Sequence, residues 1–253
     1  MINEKYADGP SLLHSLDPRL KLIITVLSAF TIAMGNNMVM LCQALVLAVI
    51  LLIMAKLKFS SLLKRLLVIN TFIIFIWIFI PFTYPGEVIF QIGSLSLSRE
   101  GIGFALRITI RSNAIMLLVI TLLSTSSISA LIHAMKYLYI PAKLIYLFFF
   151  VYRYLHVIKD EFKRLHNSML IRAFKAKTNF HTYRSYAYLI AVLLIRSYDR
   201  SKQVYEAMLC RGFKGKFYMI DNFSMNRKDF IFSAASLISI IWLIALERGW
   251  VII

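Results

Sequence analysis

Cysteine, histidine and acidic residues are scarce in this chain of 253 residues, which has two, five and 12 of them respectively. Cys42 and Cys210 lie in different surroundings and match no thiol spacing that binds a metal, which favours free thiols on a protein facing the cytoplasm. The histidines form no HExxH pattern and have no closely spaced acidic partners. We therefore expect no metal site.

The sequence also lacks the motifs of nucleotide binding and of nucleophilic catalysis. The segment GFKGKF resembles a phosphate loop, but Phe217 follows its GK pair and no glycine lies five residues before Gly215. No GxSxG motif is present. The polar stretch 1–21 has no short apolar core ending in a cleavage site, so we expect no removable signal peptide. These absences predict a chain with no catalytic residues and no bound ATP or other cofactor of its own.

Apolar residues, in contrast, are abundant. They make up 60% of the chain and the mean hydropathy is +0.74, which is typical of a polytopic membrane protein. The first apolar run, residues 22–34, covers only about 20 Å of helix against a hydrocarbon core of roughly 30 Å. It either spans with Lys21 snorkelling outward or forms a tight hairpin with the second run. The five apolar runs are 22–34, 38–55, 66–82, 108–123 and 230–246.

The excess of 29 Lys and Arg over 12 acids predicts the orientation of these runs. Lys56, Lys58, Lys64 and Arg65 lie between the second and third runs, whereas the loops on the opposite side carry little positive charge. Because positive loops face the cytoplasm, the amino terminus is predicted inside and the carboxyl terminus, after five crossings, outside.

The stretch 124–227 is then predicted to be cytoplasmic, and it holds 17 of the 29 basic residues against five acids. Its charges alternate with apolar residues, which indicates long amphipathic helices. Near its end, Ile195, Tyr198, Tyr205, Met208 and Leu209 form one stripe that we expect to pack. The predicted fold is an all-α integral membrane protein with about five transmembrane helices and a module of amphipathic coupling helices.

The apolar runs and the distribution of charge divide the chain into three predicted regions. Residues 1–123 hold the amino-terminal cytoplasmic segment and four transmembrane helices, 124–227 form the coupling-helix module, and 228–253 form the last transmembrane helix.

A nine-residue phrase occurs twice in the module, as MLIRAFKAK at 169–177 and MLCRGFKGK at 208–216. Six of the nine positions are identical, and Arg172 and Arg211 are 39 residues apart. Each copy alone is a suitable helix terminus. Arginine is favourable at the negative end of the helix dipole, and glycine readily adopts the left-handed conformation that ends a helix.

The duplication favours a second interpretation, in which both copies meet the same kind of surface on a symmetric or pseudo-symmetric partner with acidic grooves. Binding of anionic lipid is a third, because basic clusters beside membranes commonly bind it. The lipid interpretation explains the lysines better than the repeated order of residues.

The segment DPRLKL at 17–22 has an ordinary local meaning. Asp17 can cap a helix whose first residue is Pro18, and Arg19 and Lys21 can anchor its cytoplasmic end. It is interpreted as a helix start first and a functional site second.

DPRLKL, the repeated basic phrase and the stretch LLIRSYDRSKQVYEAMLCRGFKGK together resemble the T component of energy-coupling-factor transporters, the CbiQ/EcfT family, over essentially the whole chain. The last stretch is more similar to the cobalt and nickel branch than to the branch shared among vitamin importers.

The resemblance implies a non-catalytic scaffold in the bacterial inner membrane that joins two ABC-type ATPases to a separate substrate-binding subunit, with lipid around it and no nucleic-acid partner. It implies that ATP is bound by the partner subunits and the transported ion by the substrate subunit. The family's paired Ala-Arg-Gly motifs, which dock on the ATPases, correspond to Ile171-Arg172-Ala173 and Cys210-Arg211-Gly212. Ala173 in the glycine position predicts that the two ends are not interchangeable. Asp17, Pro18, Arg19 and Lys21 match the family's amino-terminal motif.

Two alternatives remain open at this point. The first is a T component that serves vitamin-specific substrate subunits. The second is a membrane-embedded lipid enzyme using Arg107, Arg111 and the cytoplasmic lysines as phosphate ligands, although the acids that such catalysis requires are few and dispersed.

Overall fold

The computed structural model describes residues 11, 13–56, 59–92, 95–138, 140–215 and 226–249. Nearly all of its regular structure is helical, which confirms the predicted all-α class. The helices are Pro18–Met34 (α1), Met38–Ala55 (α2), Phe59–Thr83 (α3), Arg99–Leu123 (α4), Ile128–Met135 (α5), Ala142–Ile171 (α6), Phe180–Cys210 (α7) and Arg227–Glu247 (α8), with a short 3-10 helix at Lys136–Leu138.

Four of these helices are long and apolar enough to cross a membrane: α2, residues Leu62–Thr83 of α3, α4 and α8. Helix α1, the first of the five predicted crossings, has 17 residues and is about 26 Å long. A two-stranded antiparallel hairpin, Val88–Ile92 (β1) with Leu95–Ser98 (β2), joins α3 to α4 and was not predicted.

The described residues form two compact units. We call residues 11–138 with 226–249 the bundle unit, and residues 140–215 the coupling unit. Residues 124–138 fall in the predicted cytoplasmic module, yet they belong to the bundle unit because α5 packs against α1.

Helix α4 is central to the bundle unit and contacts α1, α2 and α3, while α8 packs against α1 and α2. Small side chains are buried in these helices, among them Ala44, Ala48 and Ala114. Such residues let helix backbones approach closely where no hydrophobic effect drives association between membrane helices.

The turn between α1 and α2 is fixed by polar contacts with two other helices. Arg111, in the middle of α4, donates to the Gly35 carbonyl and to Asn36 Oδ1. The carboxylate of Glu247, the last residue of α8, accepts the backbone N–H groups of Asn36 and Asn37 at 2.9 and 3.0 Å. The α1–α2 hairpin and α8 therefore end near the midpoint of α4.

The start of α4 packs closely on the end of α3. Ser98 caps α4 by accepting the Gly101 N–H at 3.1 Å. A Cβ atom at Gly101 would lie 2.9 Å from the Pro81 Cα atom, so this approach requires glycine.

In the coupling unit, α6 and α7 run antiparallel. Their contacts include a salt bridge between Glu161 and Arg196 and stacking of His166 on Tyr186, with ring centroids 6.3 Å apart. The stripe predicted to pack along α7 is exposed in this chain, with Tyr198 71% and Ile195 62% accessible. The prediction is wrong for four of the five residues, because α6 packs on a different face of α7, the one that bears Leu189, Ser197 and Val204. Met208, at the edge of that face, is the half-buried member of the stripe.

Candidate coupling surface

Helices α6 and α7 end in the same backbone motif, and each ends directly before an arginine of the repeat. After α6, Phe174 N–H donates to the Met169 carbonyl at 3.1 Å and Ala173 N–H to that of Leu170 at 3.0 Å. After α7, Phe213 N–H donates to the Met208 carbonyl at 3.0 Å and Gly212 N–H to that of Leu209 at 2.9 Å. Both pairs have the pattern of a Schellman motif, which satisfies carbonyl groups at a helix end.

The residue after each arginine adopts the left-handed conformation. Gly212 has φ +78° and Ala173 has φ +59°. Alanine in the glycine position therefore does not change how the first helix ends. Ala173 adopts the left-handed conformation, although this costs an L-residue roughly 1–2 kcal/mol. The two ends do not differ in backbone geometry.

The Schellman motif also explains part of the repeated phrase. A hydrophobic contact between the positions of Met169 and Phe174, or of Met208 and Phe213, commonly accompanies this motif. All four side chains are half-buried. Phe174 is further held by an edge-to-face contact with Tyr186, with ring centroids 5.6 Å apart. Helix termination thus accounts for the repeated Met and Phe.

Helix termination gives the repeated cations only a small role, because a cation at an exposed helix C-terminus is worth about 0.3–1 kcal/mol through the helix dipole. Arg172, Lys175, Arg211 and Lys214 are all exposed, and neither arginine forms a salt bridge with any residue that the structure describes. Their immediate neighbours Ile171, Ala173, Cys210 and Gly212 are exposed as well. Each helix thus ends in an unpaired guanidinium group on a rigid turn, which suits a carboxylate on a partner.

The surroundings of the two ends differ. The first end borders a cavity of about 750 Å³ between the end of α6 and the beginning of α7. Its cationic lining residues are Arg172, Lys175, Lys177 and Arg196, and no Asp or Glu lines it. At the second end, Met208 borders a smaller and mostly apolar groove of about 390 Å³. A difference in docking between the two ends would therefore arise from these surroundings.

The amino-terminal motif begins α1 as predicted. Asp17 is the N-cap and accepts the Arg19 N–H at 2.9 Å, and Pro18 is the first helical residue. Lys21, however, does not snorkel outward. It is 1% exposed and donates to the Thr125 carbonyl at 3.1 Å and to Ser126 Oγ at 2.9 Å. Of the two alternatives for the first apolar run, the one in which Lys21 snorkels outward is wrong, because α5 and its preceding turn cover this face of α1 and supply oxygen acceptors.

Four partners of this motif were missed from the sequence. Asp229 Oδ1 accepts the Asp17 N–H at 2.9 Å, and the Arg19 guanidinium lies 3.4 Å from the centre of the Tyr137 ring. Thr125 and Ser126 supply the two oxygen acceptors for Lys21. Only Asp229 had a local signal, since it lies three residues after Asn226 and completes a capping box at the start of α8.

The two arginines of the lipid-enzyme alternative bind groups of the chain itself. Arg111 is engaged with the α1–α2 turn, and Arg107 donates to the Gly103 carbonyl of its own helix. Among the described residues, no three His, Cys, Asp or Glu side chains are close enough to hold a metal ion.

Cys42 and Cys210 are free thiols, as predicted.

The chain matches one family model and several curated proteins. The CbiQ family model, described as "Cobalt transport protein", matches residues 9–219. The chain is 26% identical to the energy-coupling factor transporter transmembrane protein EcfT of Bacillus subtilis over 227 residues, or 85% of each chain. It is 24% identical to the EcfT protein of Ruminiclostridium cellulolyticum over 255 residues, or 96% of each chain. The EcfT protein of Streptococcus equi is 26% identical over 226 residues, 85% of this chain and 84% of that protein.

Proposed function

Because the chain belongs to the CbiQ family of cobalt transport proteins, we propose that it is the transmembrane T component of an ATP-driven importer of the energy-coupling-factor class. In this role it is a non-catalytic scaffold that transmits the motions of two ABC-type ATPase subunits to a separate substrate-binding membrane subunit. The observation that carries the proposal is the pair of equivalent helix ends, each presenting an exposed arginine.

We assign one ATPase subunit to each end. Arg172 and Arg211 are the shared centre of the two ends, and their guanidinium groups can each form a bidentate pair with a carboxylate. The flanking residues Ile171, Ala173, Cys210 and Gly212 are exposed and come within reach of the same partner surface. The rigid Schellman turns hold each arginine in place, so a displacement of its partner moves the helix behind it. ATP belongs to the partner subunits, and this chain holds no cofactor of its own.

The proposed cargo is cobalt or nickel. The description of the matching family model as a cobalt transport protein favours a metal ion, whereas the curated relatives carry the general name EcfT. A T component that serves vitamin-specific subunits is therefore the second candidate. The cargo site lies in the separate substrate subunit under either proposal.

The proposed location is the bacterial inner membrane, with the amino terminus and the coupling unit in the cytoplasm. The positive charge between α2 and α3 and on the coupling unit supports this orientation. Lipids contact the exposed apolar side chains of α2, α3 and α8, among them Ile53, Phe72 and Ile241.

Charge reversal at the two arginines tests the docking assignment. We expect the Arg172→Glu, Arg211→Glu double variant to insert in the membrane at the normal level and to lose co-purification of ATPase subunits. Reversal places a carboxylate opposite the partner's acidic groove, and like charges at an interface cost several kcal/mol. The matched control is Lys163→Glu with Lys202→Glu, which reverses two exposed charges on the same helices away from their ends. Normal ATPase recovery with the arginine double variant, together with unaltered uptake in cells, contradicts the assignment.

Affinity purification from the native membrane tests the class and separates the two cargo candidates. Under the proposal, gentle detergent extraction recovers two ATPase polypeptides or two copies of one, plus a small membrane protein. The preference of that small protein for Co²⁺, Ni²⁺ or a vitamin then identifies the cargo. Recovery of the chain alone, with turnover of a lipid substrate, contradicts the proposed class.

A further inference from the structure

The segment Asp17–Lys21 contacts both stretches of chain that connect the bundle unit to the coupling unit. The chain leaves the bundle unit through residues 124–138 and returns to it at 226, where α8 begins. The Asp17 N–H and the side chains of Arg19 and Lys21 make these contacts. The outgoing stretch is more than 100 residues away from the segment in the sequence, and the returning stretch is more than 200 residues away.

The outgoing stretch is held at its two ends. Lys21 binds its beginning, through the Thr125 carbonyl and Ser126 Oγ, directly after α4. Arg19 stacks on Tyr137 in the 3-10 helix that follows α5, close to the last residue of the bundle unit on this side. Helix α5 lies between these two contacts, so a movement of the outgoing stretch as a whole must strain one or both of them.

The returning stretch is held through Asp229. One carboxylate oxygen of Asp229 accepts the Asp17 N–H at 2.9 Å, and the other accepts the Asn226 N–H at 2.8 Å. This carboxylate is 2% exposed. It therefore joins the first residue before α1 to the first residue before α8.

These contacts involve charged groups that are largely removed from solvent. Asp17, Lys21 and Asp229 are buried, and the carboxylates of Asp17 and Asp229 interact electrostatically with Lys21. A buried charge that loses its partner carries a large desolvation penalty, so the contacts form or break together. A cluster of this kind therefore favours one fixed arrangement of the two connecting stretches over a series of intermediate positions.

We propose that Asp17–Lys21 is a clamp that fixes both connections, and that Arg19 and Lys21 are positioning residues through which motion of the coupling unit reaches the helices of the bundle unit. The inference rests on the proposed function, because it is the ATPases that would move the coupling unit. It assigns to the motif a role beyond starting α1.

The test compares Tyr137→Leu with Tyr137→Phe in the complete complex purified with its ATPase subunits. Phenylalanine keeps the ring face under Arg19, whereas leucine removes it. Tyr137 is half exposed, so both variants should fold. Lys21→Met, which keeps the length of the side chain and removes its charge, is the second variant. Ser129→Ala, at an exposed residue on the same stretch, is the control.

Hydrogen exchange is measured without nucleotide and with ATP plus vanadate, which requires no knowledge of the cargo. In the wild type, nucleotide should change exchange at the two helix ends, 171–174 and 210–213, and also at 17–25 and 226–232. In Tyr137→Leu and Lys21→Met the change at the helix ends should persist, while the change at 17–25 and 226–232 should fall about threefold or more. Tyr137→Phe and Ser129→Ala should match the wild type.

Three results would overturn the inference, and only the last of them also overturns the proposed function. An unreduced response at 17–25 and 226–232 in Tyr137→Leu, or a response lost equally in Tyr137→Phe, shows that the contacts do not transmit motion. No response at the helix ends in the wild type overturns the proposed function, and the clamp with it.

Discussion

Ala173 shows how a single residue can depart from a motif while keeping its geometry. Its φ of +59° falls in the region that favours glycine, and the equivalent Gly212 has φ +78° with no atom within 4 Å of where a Cβ would lie. The two ends therefore differ in the conformational free energy of the left-handed residue, and not in the room available for a Cβ atom. The first end has a conformational penalty that the second end does not have.

A reciprocal exchange tests this cost. We expect Ala173→Gly to stabilise the end of α6 by about 0.5–1 kcal/mol, because glycine adopts positive φ readily but loses more entropy on ordering. Gly212→Ala should destabilise the end of α7 by about 1 kcal/mol. Amide exchange at Phe174 should slow by about threefold and exchange at Phe213 should quicken by about fivefold.

Ala207→Gly provides the control with the opposite sign. Ala207 is exposed within α7, where glycine should cost about 1 kcal/mol. A loss of stability in Ala173→Gly comparable to that in Ala207→Gly would show that residue 173 is not left-handed.

Lys21 and Asp229 mark the limit of what single residues reveal. A lysine one turn into an apolar helix is typically predicted to reach the interface, and nothing near it in the sequence indicates a carbonyl acceptor 104 residues away. The capping role of Asp17 and Pro18, in contrast, was predictable because cap, proline and first helical turn are adjacent in the chain.

At the scale of elements, the helix limits could be predicted and their partners could not. Asn37 and Asn226 mark the beginnings of α2 and α8 through short-range chemistry, and the repeated phrase marks the ends of α6 and α7. The β1–β2 hairpin was missed because a loop as short as the one between α3 and α4, even with alternating apolar and polar residues, is hard to distinguish from a turn in the sequence. The apolar stripe of α7 was assigned to packing because periodicity indicates a face and does not identify what covers it.

The Glu247 contacts connect the end of α8 to the α1–α2 turn, and removing their charge tests how much that connection contributes. We expect Glu247→Gln to lower the free energy of unfolding by about 1 kcal/mol, because an amide retains only one acceptor for the two N–H groups of Asn36 and Asn37. For a chain of this size the melting temperature should fall by about 2–4 °C. Thermal unfolding in detergent measures the shift, and Glu206→Gln, at an exposed position on α7, should leave it unchanged. Equal shifts in the two variants would argue against the contact.

At the scale of the whole molecule, charge is divided unevenly along the chain. Residues 124–227 hold 17 basic residues and five acidic ones, while the formal net charge of the chain is +17. An excess of one sign accelerates association with partners of the opposite sign and makes it sensitive to ionic strength. The proposed ATPase contact should therefore weaken as salt screens it.

Raising the salt concentration from about 0.05 to 0.5 M should reduce recovery of the ATPase subunits several-fold, since the Debye length falls below about 5 Å. Recovery is measured on immobilised complex with a series of washes. The Lys163→Glu, Lys202→Glu control should show the same midpoint within about twofold, because exposed charges away from the contact contribute little. Recovery that does not change with salt would indicate that apolar contact dominates and that the arginines are secondary.

The polar contacts of Arg111 have a consequence for the surrounding lipid. Arg111 is twelve residues along α4 from Arg99, so α4 continues about 18 Å beyond the level at which α1, α2 and α8 end. The candidate membrane span of α2 has 18 residues and is about 27 Å long, whereas that of α3, Leu62–Thr83, has 22 residues and is about 33 Å long. With both helices upright, a bilayer that matches both spans is thinner beside α2 than beside α3. A difference of about 6 Å between the two spans would grade the membrane thickness around the circumference of the protein.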